Sequence, residues 1–282
     1  MLKAEESFFR ILMYFSTLLI FLVLLLIIIG ILRKGIPALS WEMISQSPKG
    51  GFYFGKEGGI LNSIIGSLYL ASGATLLAFI IGLPVSLYLN VWIKTKTSFV
   101  NFIRLILDIL WGIPSIVYGA FGFTLMIFLG IKTSLIAGIV IVAVLILPIM
   151  IRAIDEGFKS VPIGLHEASL SLGSTKSRFA FRVMIRQCLP SIITAVLLSF
   201  GRAIGDAAAV LFTTGFTDNI PTSLNQPAAT LPLSIFFQLS SPIEEVKARA
   251  YAAAVILTVI ILTISILSRI FTSKFDKHRI KF

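Results

Sequence analysis

From Ile11 to Leu32 the chain runs for 22 residues without one charged side chain, and that run sets the first limit on the fold. At about 1.5 Å of rise per residue, a helix of this length crosses a hydrocarbon core about 30 Å thick. Comparable apolar runs recur at about 61–91, 104–130, 133–152, 191–216 and 250–271. The pattern predicts an all-α integral membrane protein with six transmembrane helices. Composition agrees: 57% of the residues are hydrophobic and only 13% are charged, against about 45–50% apolar in soluble domains. The first run exceeds the 7–15 residues or so of a signal-peptide core, and no small-residue cleavage site follows it, so it reads as an uncleaved anchor. The expected organisation is an anchor helix with an external loop over 1–57. A transmembrane core follows over 58–282, with a cytoplasmic loop at 153–190.

The net charge of +11 is explained by topology rather than by nucleic acid, because no basic stripe interleaved with aromatics lies outside the loops. With both termini in the cytoplasm, Lys3, Arg10 and the basic residues of 94–104, 152–186 and 269–281 all fall inside. Fewer fall outside: Arg33, Lys34, Lys49, Lys56, Lys132, Lys247 and Arg249. That asymmetry is the positive-inside pattern. Gly130-Ile131-Lys132-Thr133 predicts a tight hairpin between the third and fourth spans. Phe52, Tyr53 and Phe54 suit an aromatic belt at headgroup level, and 217–249 reads as a solvated external loop. Cys188 is the single cysteine, and His166 and His278 have no spaced partners, so neither a disulfide nor a metal site is expected. "LGSTKS" (172–177) lacks the glycine that precedes lysine in a phosphate-binding loop. The chain is therefore expected to bind no ATP and, without a nucleophile–base constellation, to be no enzyme.

Residues 153–190 hold the one sizeable segment between spans on the inner side. Pro162 can open a helix in its first turn, and Glu167 then sits among Ala168, Ser169 and Ser171. Gly173 supplies a left-handed stop, and Ser174 or Thr175 can cap a second helix. A small-residue face beside a carboxylate suits docking against another protein. An amphipathic connector is the alternative.

The fifth span carries Arg202 and Asp206 four residues apart, hence on one helical face. A charge near mid-membrane costs about 2.5–3.5 kcal/mol even on the mildest scales. It therefore faces either a partner or a wet cavity. Gly201, Ala203, Gly205, Ala207, Ala208 and Ala209 leave room beside the guanidinium, a planar fork that suits phosphate and similar oxyanions. Thr213, Thr214 and Ser115 could add hydroxyl donors, although such hydroxyls commonly bond back to their own helix. A self-neutralised pair locking the bundle is the alternative reading. Arg104 and Asp108 form a second i,i+4 pair, expected to snorkel at the interface.

Glu167-Ala168-Ser169-x3-Gly173 resembles the E-A-A-x3-G loop of ABC-transporter permeases. More of the chain is similar to one branch, the phosphate-import permeases of the PstA type. The similar stretches are 58–92, "DILWGIPSIVYGAFGF" (108–123), "GRAIGDAAAVLFTTG" (201–215) and "ATLPLSIF" (229–236). Asp206, Ala207 and Ala209 stand where that branch usually has Glu, Thr and Pro. The resemblance implies an ABC type I importer permease fold in a prokaryotic inner membrane. It implies a homologous second permease of the PstC type, two ATP-binding subunits that hold ATP and Mg, and an external phosphate-binding protein. On that reading Arg202 offers the anion a transient stop and Asp206 orients the guanidinium. Glu167–Gly173 takes force from the ATPase. The rivals are a permease for phosphonate, molybdate or sulfate, and an ion-gradient transporter, which should show inverted repeats and broken helices.

Overall fold

A computed structural model describes residues 2–49, 57–93 and 98–276. The N-terminal helix α1 (Leu2–Gly35) leads through a 3-10 turn (Ile36–Ala38) to the short α2 (Trp41–Ser45). Two-residue strands β1 (Pro48–Lys49) and β2 (Glu57–Gly58) pair antiparallel, Pro48 opposite Gly58. Helix α3 (Leu61–Leu87) runs into a π-helical turn, Tyr88–Trp92. After it come α4 (Ser98–Gly112), α5 (Ser115–Leu129) and α6 (Leu135–Lys159). The connection out of α6 holds α7 (Ile163–Ser171), α8 (Lys176–Arg178), a π-helical stretch (Phe179–Met184) and α9 (Ile185–Gln187). The chain then continues through α10 (Leu189–Ile204), α11 (Leu231–Leu239) and α12 (Glu244–Asp276).

Helix α6 is the axis of the molecule. Val142, Ile146, Met150 and Ile154 recur every four residues and are fully buried, in one core with Ala71, Ala74 and Ala78 of α3 and Ala195 and Ala203 of α10. Alanines at those positions let the helices approach closely, which is how apolar helices gain packing when surrounded by lipid. Helix α1 is the opposite case. Its most apolar stretch has no residue buried within the chain, as expected of a helix whose flank is lipid or another subunit. It is tied down at its end, where Lys34 Nζ lies 3.4 Å from the Tyr251 hydroxyl and 4.9 Å from that ring's centroid.

Among the described residues, four helices are long and apolar enough to cross a membrane, or six if each of two bent pairs counts as one span. The expected third span, 104–130, is one of those pairs: α4 and α5 meet at 94°. The break falls at Ile113-Pro114, because proline removes a backbone donor and pushes its predecessor out of the helical region. The other pair, Lys176–Gln187 with Leu189–Ile204, bends by 71° next to Pro190. Broken helices, given above as a mark of the ion-gradient rival, are thus present in this chain. The hairpin forms as expected: Gly130 is left-handed at φ +67° and closes α5.

Two expectations fail in the second half of the chain. The fifth span does not reach 216, since α10 ends at Ile204 and the backbone leaves the helix at Gly205. Nor is 217–249 a solvated loop: Ala228 to Ser234 are buried, and α11 lies inside it. Irregular backbone at this depth survives only if its polar groups are satisfied by protein, and here they are. Leu135 N donates to Gln226 O and Ile136 N to Leu224 O, both at 2.8 Å, so the exposed amides at the start of α6 are used up by the loop. Asn62 Nδ2 of α3 donates to Thr217 O, and Leu231 N donates to Ser67 Oγ, each at 2.7 Å. Glycine at position 66 is required, because a side chain there would run into the Ala229 carbonyl. Phe52, Tyr53 and Phe54, the expected aromatic belt, lie outside the described residues.

Candidate functional site

The helix break creates the geometry around Arg202. Gly205 ends α10, and Asp206 Oδ2 accepts a hydrogen bond from Ala209 N at 2.8 Å, capping the turn that follows. That is the behaviour of an aspartate at a helix start. Its other oxygen, Oδ1, lies 3.0 Å from Arg202 Nη1. Asp206 is thus not on a continuous helical face with Arg202, as the spacing suggested. It reaches back from beyond the helix end. The pair is lopsided: the Asp206 side chain is 2% exposed and that of Arg202 41%. A guanidinium has five N–H donors in a rigid fork, so one contact to Asp206 leaves most of it facing outward. Its position in the last turn of α10 also suits the negative end of the helix dipole.

The three hydroxyls expected nearby divide. Thr213 and Thr214 are fully buried, and their Oγ1 atoms donate to the carbonyls of Ala209 at 3.0 Å and Val210 at 2.9 Å. This corrects the expectation that they face a solute: both satisfy the turn they sit on. Ser115 opens α5 directly after Pro114 and is half-buried. One turn further, Gly119 lets α5 touch the Asp206 turn, since a Cβ there would stand 2.8 Å from Ala208 O. Phe123 packs against Phe212 at 5.9 Å between ring centroids. The structure therefore brings α5, with Ser115 on it, against the segment that positions Arg202.

The connection between α6 and α10 forms as its punctuation predicts. Pro162 sits just before α7 with extended ψ of 134°, and Gly173 ends it at φ +74° with no heavy atom within 4 Å of where a side chain would begin. Ser174 N donates to Ser169 O at 3.1 Å, closing the last turn. Of the two candidate caps, Thr175 is the one used: its Oγ1 accepts from Arg178 N at 3.2 Å. Glu167 and Ala168 are exposed and Ser169 is half-buried. Next to them Ile163 and Leu172 stand bare, Leu172 at 88%. His166 anchors α7 on the π-helical stretch, its ring 4.7 Å from that of Phe179. The segment is thus fixed on one side through His166 and leaves apolar side chains exposed on the other.

One constellation escaped the sequence reading. Arg104 and Asp108 do not pair with each other. Arg104 grips Asp155 of α6 with two bonds, Nε to Oδ2 at 3.0 Å and Nη2 to Oδ1 at 2.9 Å. Asp108 takes Arg152 Nε at 2.8 Å. Asp155, 1% exposed, also accepts from Asn90 Nδ2 at 2.8 Å and faces Lys159 Nζ at 3.0 Å and Arg152 Nη1 at 3.3 Å. The signal was the spacing of Arg152, Asp155, Glu156 and Lys159 at three and four residues where an apolar helix ends.

The fold and these features define a polytopic membrane protein with a charged helix break at Arg202 and an exposed short helical segment between its spans. Residues 82–280 match the family of binding-protein-dependent transport system inner membrane components. Curated relatives include the phosphate transport system permease proteins PstA of Haemophilus influenzae and Pasteurella multocida. They are 32% and 33% identical over 245 residues, covering 87% of this chain and 86% of theirs. The chain belongs to the binding-protein-dependent transport system inner membrane component family, on the branch of the PstA permeases. It is thus a multi-pass ABC-transporter permease and not itself an enzyme, and the ion-gradient alternative falls. Solved structures share the fold: a chain of the inward-facing MetNI methionine ABC transporter aligns with a TM-score of 0.62 at 20% identity, covering 77% of this chain and 95% of that one. A chain of an amino acid ABC transporter aligns at 0.54, with 20% identity and 78% and 93% coverage.

Proposed function

We propose that this chain is one permease subunit of an ATP-driven phosphate importer, and that Arg202 lines the route of the anion. The observation that supports this most is the half-open guanidinium of Arg202, held by one carboxylate at a helix break, in a chain whose relatives are named for phosphate transport. A single contact leaves donors for an oxyanion, while Asp206 keeps the positive charge from holding the anion too long. Ser115, on the helix that packs against the Asp206 turn, is assigned as a further hydroxyl donor in this reading. The chain pairs with a second permease of the PstC type, receives phosphate from an external binding protein, and works with two ATP-binding subunits, seating Glu167, Ala168, Ser169 and Gly173 in a groove of the ATPase. ATP and Mg reside on those subunits. Both termini face the cytoplasm, which places α7 on the same side.

Reconstitution of the complete transporter in liposomes tests the reading. Arg202→Ala removes charge-assisted bonds of about 1.5–3 kcal/mol, so uptake of labelled phosphate should fall about 10- to 100-fold while the complex still assembles. Arg202→Lys keeps the charge without the fork and should lie between the two. Undiminished uptake by Arg202→Ala would remove Arg202 from the route. Equal uptake of sulfate or molybdate by the parent transporter would instead assign it to another oxyanion.

A further inference from the structure

We propose that Asp155 is the positioning residue through which movement of α7 reaches α4 and, from there, the Arg202 end of the molecule. The inference deepens the reading of the chain as an ATP-driven permease and rests on it for the source of the force.

The geometry is a closed six-charge cluster at the joint between α6 and the α7 segment. Both oxygens of Asp155 are saturated: Oδ1 by Arg104 Nη2 and Asn90 Nδ2, Oδ2 by Arg104 Nε, Lys159 and Arg152. The surplus of positive charge is taken by the exposed carboxylates. Asp108 pairs with Arg152 at 2.8 Å, and Glu156 pairs with Lys159 at 2.7 Å. Three cations thus meet three anions. They belong to α4 and α6, and Asn90 adds the π-helical turn that ends α3.

Its position gives the cluster a mechanical consequence. Lys159 is the last residue of α6, and three residues later Pro162 opens onto α7. A push on α7 is therefore delivered, through the short link 160–162, to the end of α6 about one helical turn from Asp155. Helix α4 meets α5 at 94°, and its outer face, including Phe99, Phe102 and Ile109, is exposed. Val100 and Leu107 are its buried residues, and two ion pairs fasten it to α6. Beyond α4 lies α5, whose Gly119 touches the turn that carries Asp206. A contiguous path thus runs from α7 through Asp155, Arg104, α4 and α5 to Asp206 and Arg202. A bidentate arginine on a buried carboxylate has few alternative arrangements, so such a joint moves as a unit or switches, and does not bend.

Contiguity alone does not establish coupling, and Asp155→Asn measures it. The variant keeps the shape and removes the charge. In the reconstituted transporter, phosphate moved per ATP hydrolysed should fall about tenfold, within the range that network mutations produce, with hydrolysis itself largely retained. An unchanged ratio, or uptake and hydrolysis falling in proportion, overturns the inference. If the Asn variant does not assemble, Arg104→Gln and Asp108→Asn are read the same way, and an unchanged ratio in both likewise overturns it. A second arm is independent of the solute. Spin labels on Phe102→Cys and Phe128→Cys, in a Cys188→Ser background, report the α4–α5 geometry in the assembled complex. ATP should shift that distance in the parent and not in Asp155→Asn; a shift of equal size in both overturns the inference. If the parent moves no phosphate yet shows the shift, the solute assignment fails and the role of Asp155 stands.

Discussion

Two carboxylates mark the ends of the machine, and the surroundings of Asp155 and Asp206 differ in kind. Both side chains are almost fully buried, at 1% and 2% exposure, and both face arginine. Asp155 is closed on all sides by two arginines, a lysine and an asparagine, with its principal arginine only 14% exposed. Asp206 divides itself between one backbone amide and one arginine whose side chain is 41% exposed. A saturated buried cluster holds helices in register, because any departure leaves a charge without a partner. An unsaturated pair at a helix break leaves donors to offer. On the readings proposed above, the first kind of surroundings suits force transmission and the second contact with the solute.

Three substitutions sharpen that contrast, in descending order of their effect on stability. Asp155→Ala leaves the cations of Arg104, Arg152 and Lys159 facing one another and should destabilise the chain by about 3–5 kcal/mol. Thermal unfolding of the detergent-purified complex reads this as a large drop in Tm or as failed assembly. Asp206→Ala loses a turn cap and an ion pair exposed on its arginine side only, and should cost about 0.5–2 kcal/mol. Arg202→Ala, although expected to abolish most uptake, should cost the least, about 0.5–1 kcal/mol, because the guanidinium is 41% exposed and Asp206 keeps its bond from Ala209 N. A reversed order, with Asp206→Ala more damaging than Asp155→Ala, would break the division of labour.

How much of this was legible in the sequence follows the range of the interactions. The spans were visible as apolar runs, and the α7 segment was readable almost residue by residue, because Pro162, Gly173 and Thr175 act on their immediate neighbours. The ends of the broken spans were not. Hydropathy continues smoothly through Pro114 and from Ala207 to Phe216, so it conceals both the 94° bend and the exit of the backbone at Gly205. The docking of 217–231 was hidden for a related reason: its Pro-, Thr- and Asn-rich composition suits water equally well. Its place is set by polar groups far away in the chain, Asn62 and Ser67 on α3 and the first amides of α6. The Asp155 cluster was out of reach because Arg104 is 51 residues away and Asn90 65. A local reading instead paired Arg104 with Asp108.

The central claim, that Arg202 borders a water-lined route, has a direct measurement. In the assembled transporter with Cys188→Ser, Arg202→Cys is exposed to a membrane-impermeant thiosulfonate reagent, with fully buried Thr213→Cys as the reference. The account predicts that the cysteine at 202 is modified and the one at 213 is not, because the reagent attacks a thiolate that forms only where water reaches the sulfur. A position 202 that stays unreactive with nucleotide both absent and present would mean that Arg202 is sealed in protein or faces lipid, and would contradict the account.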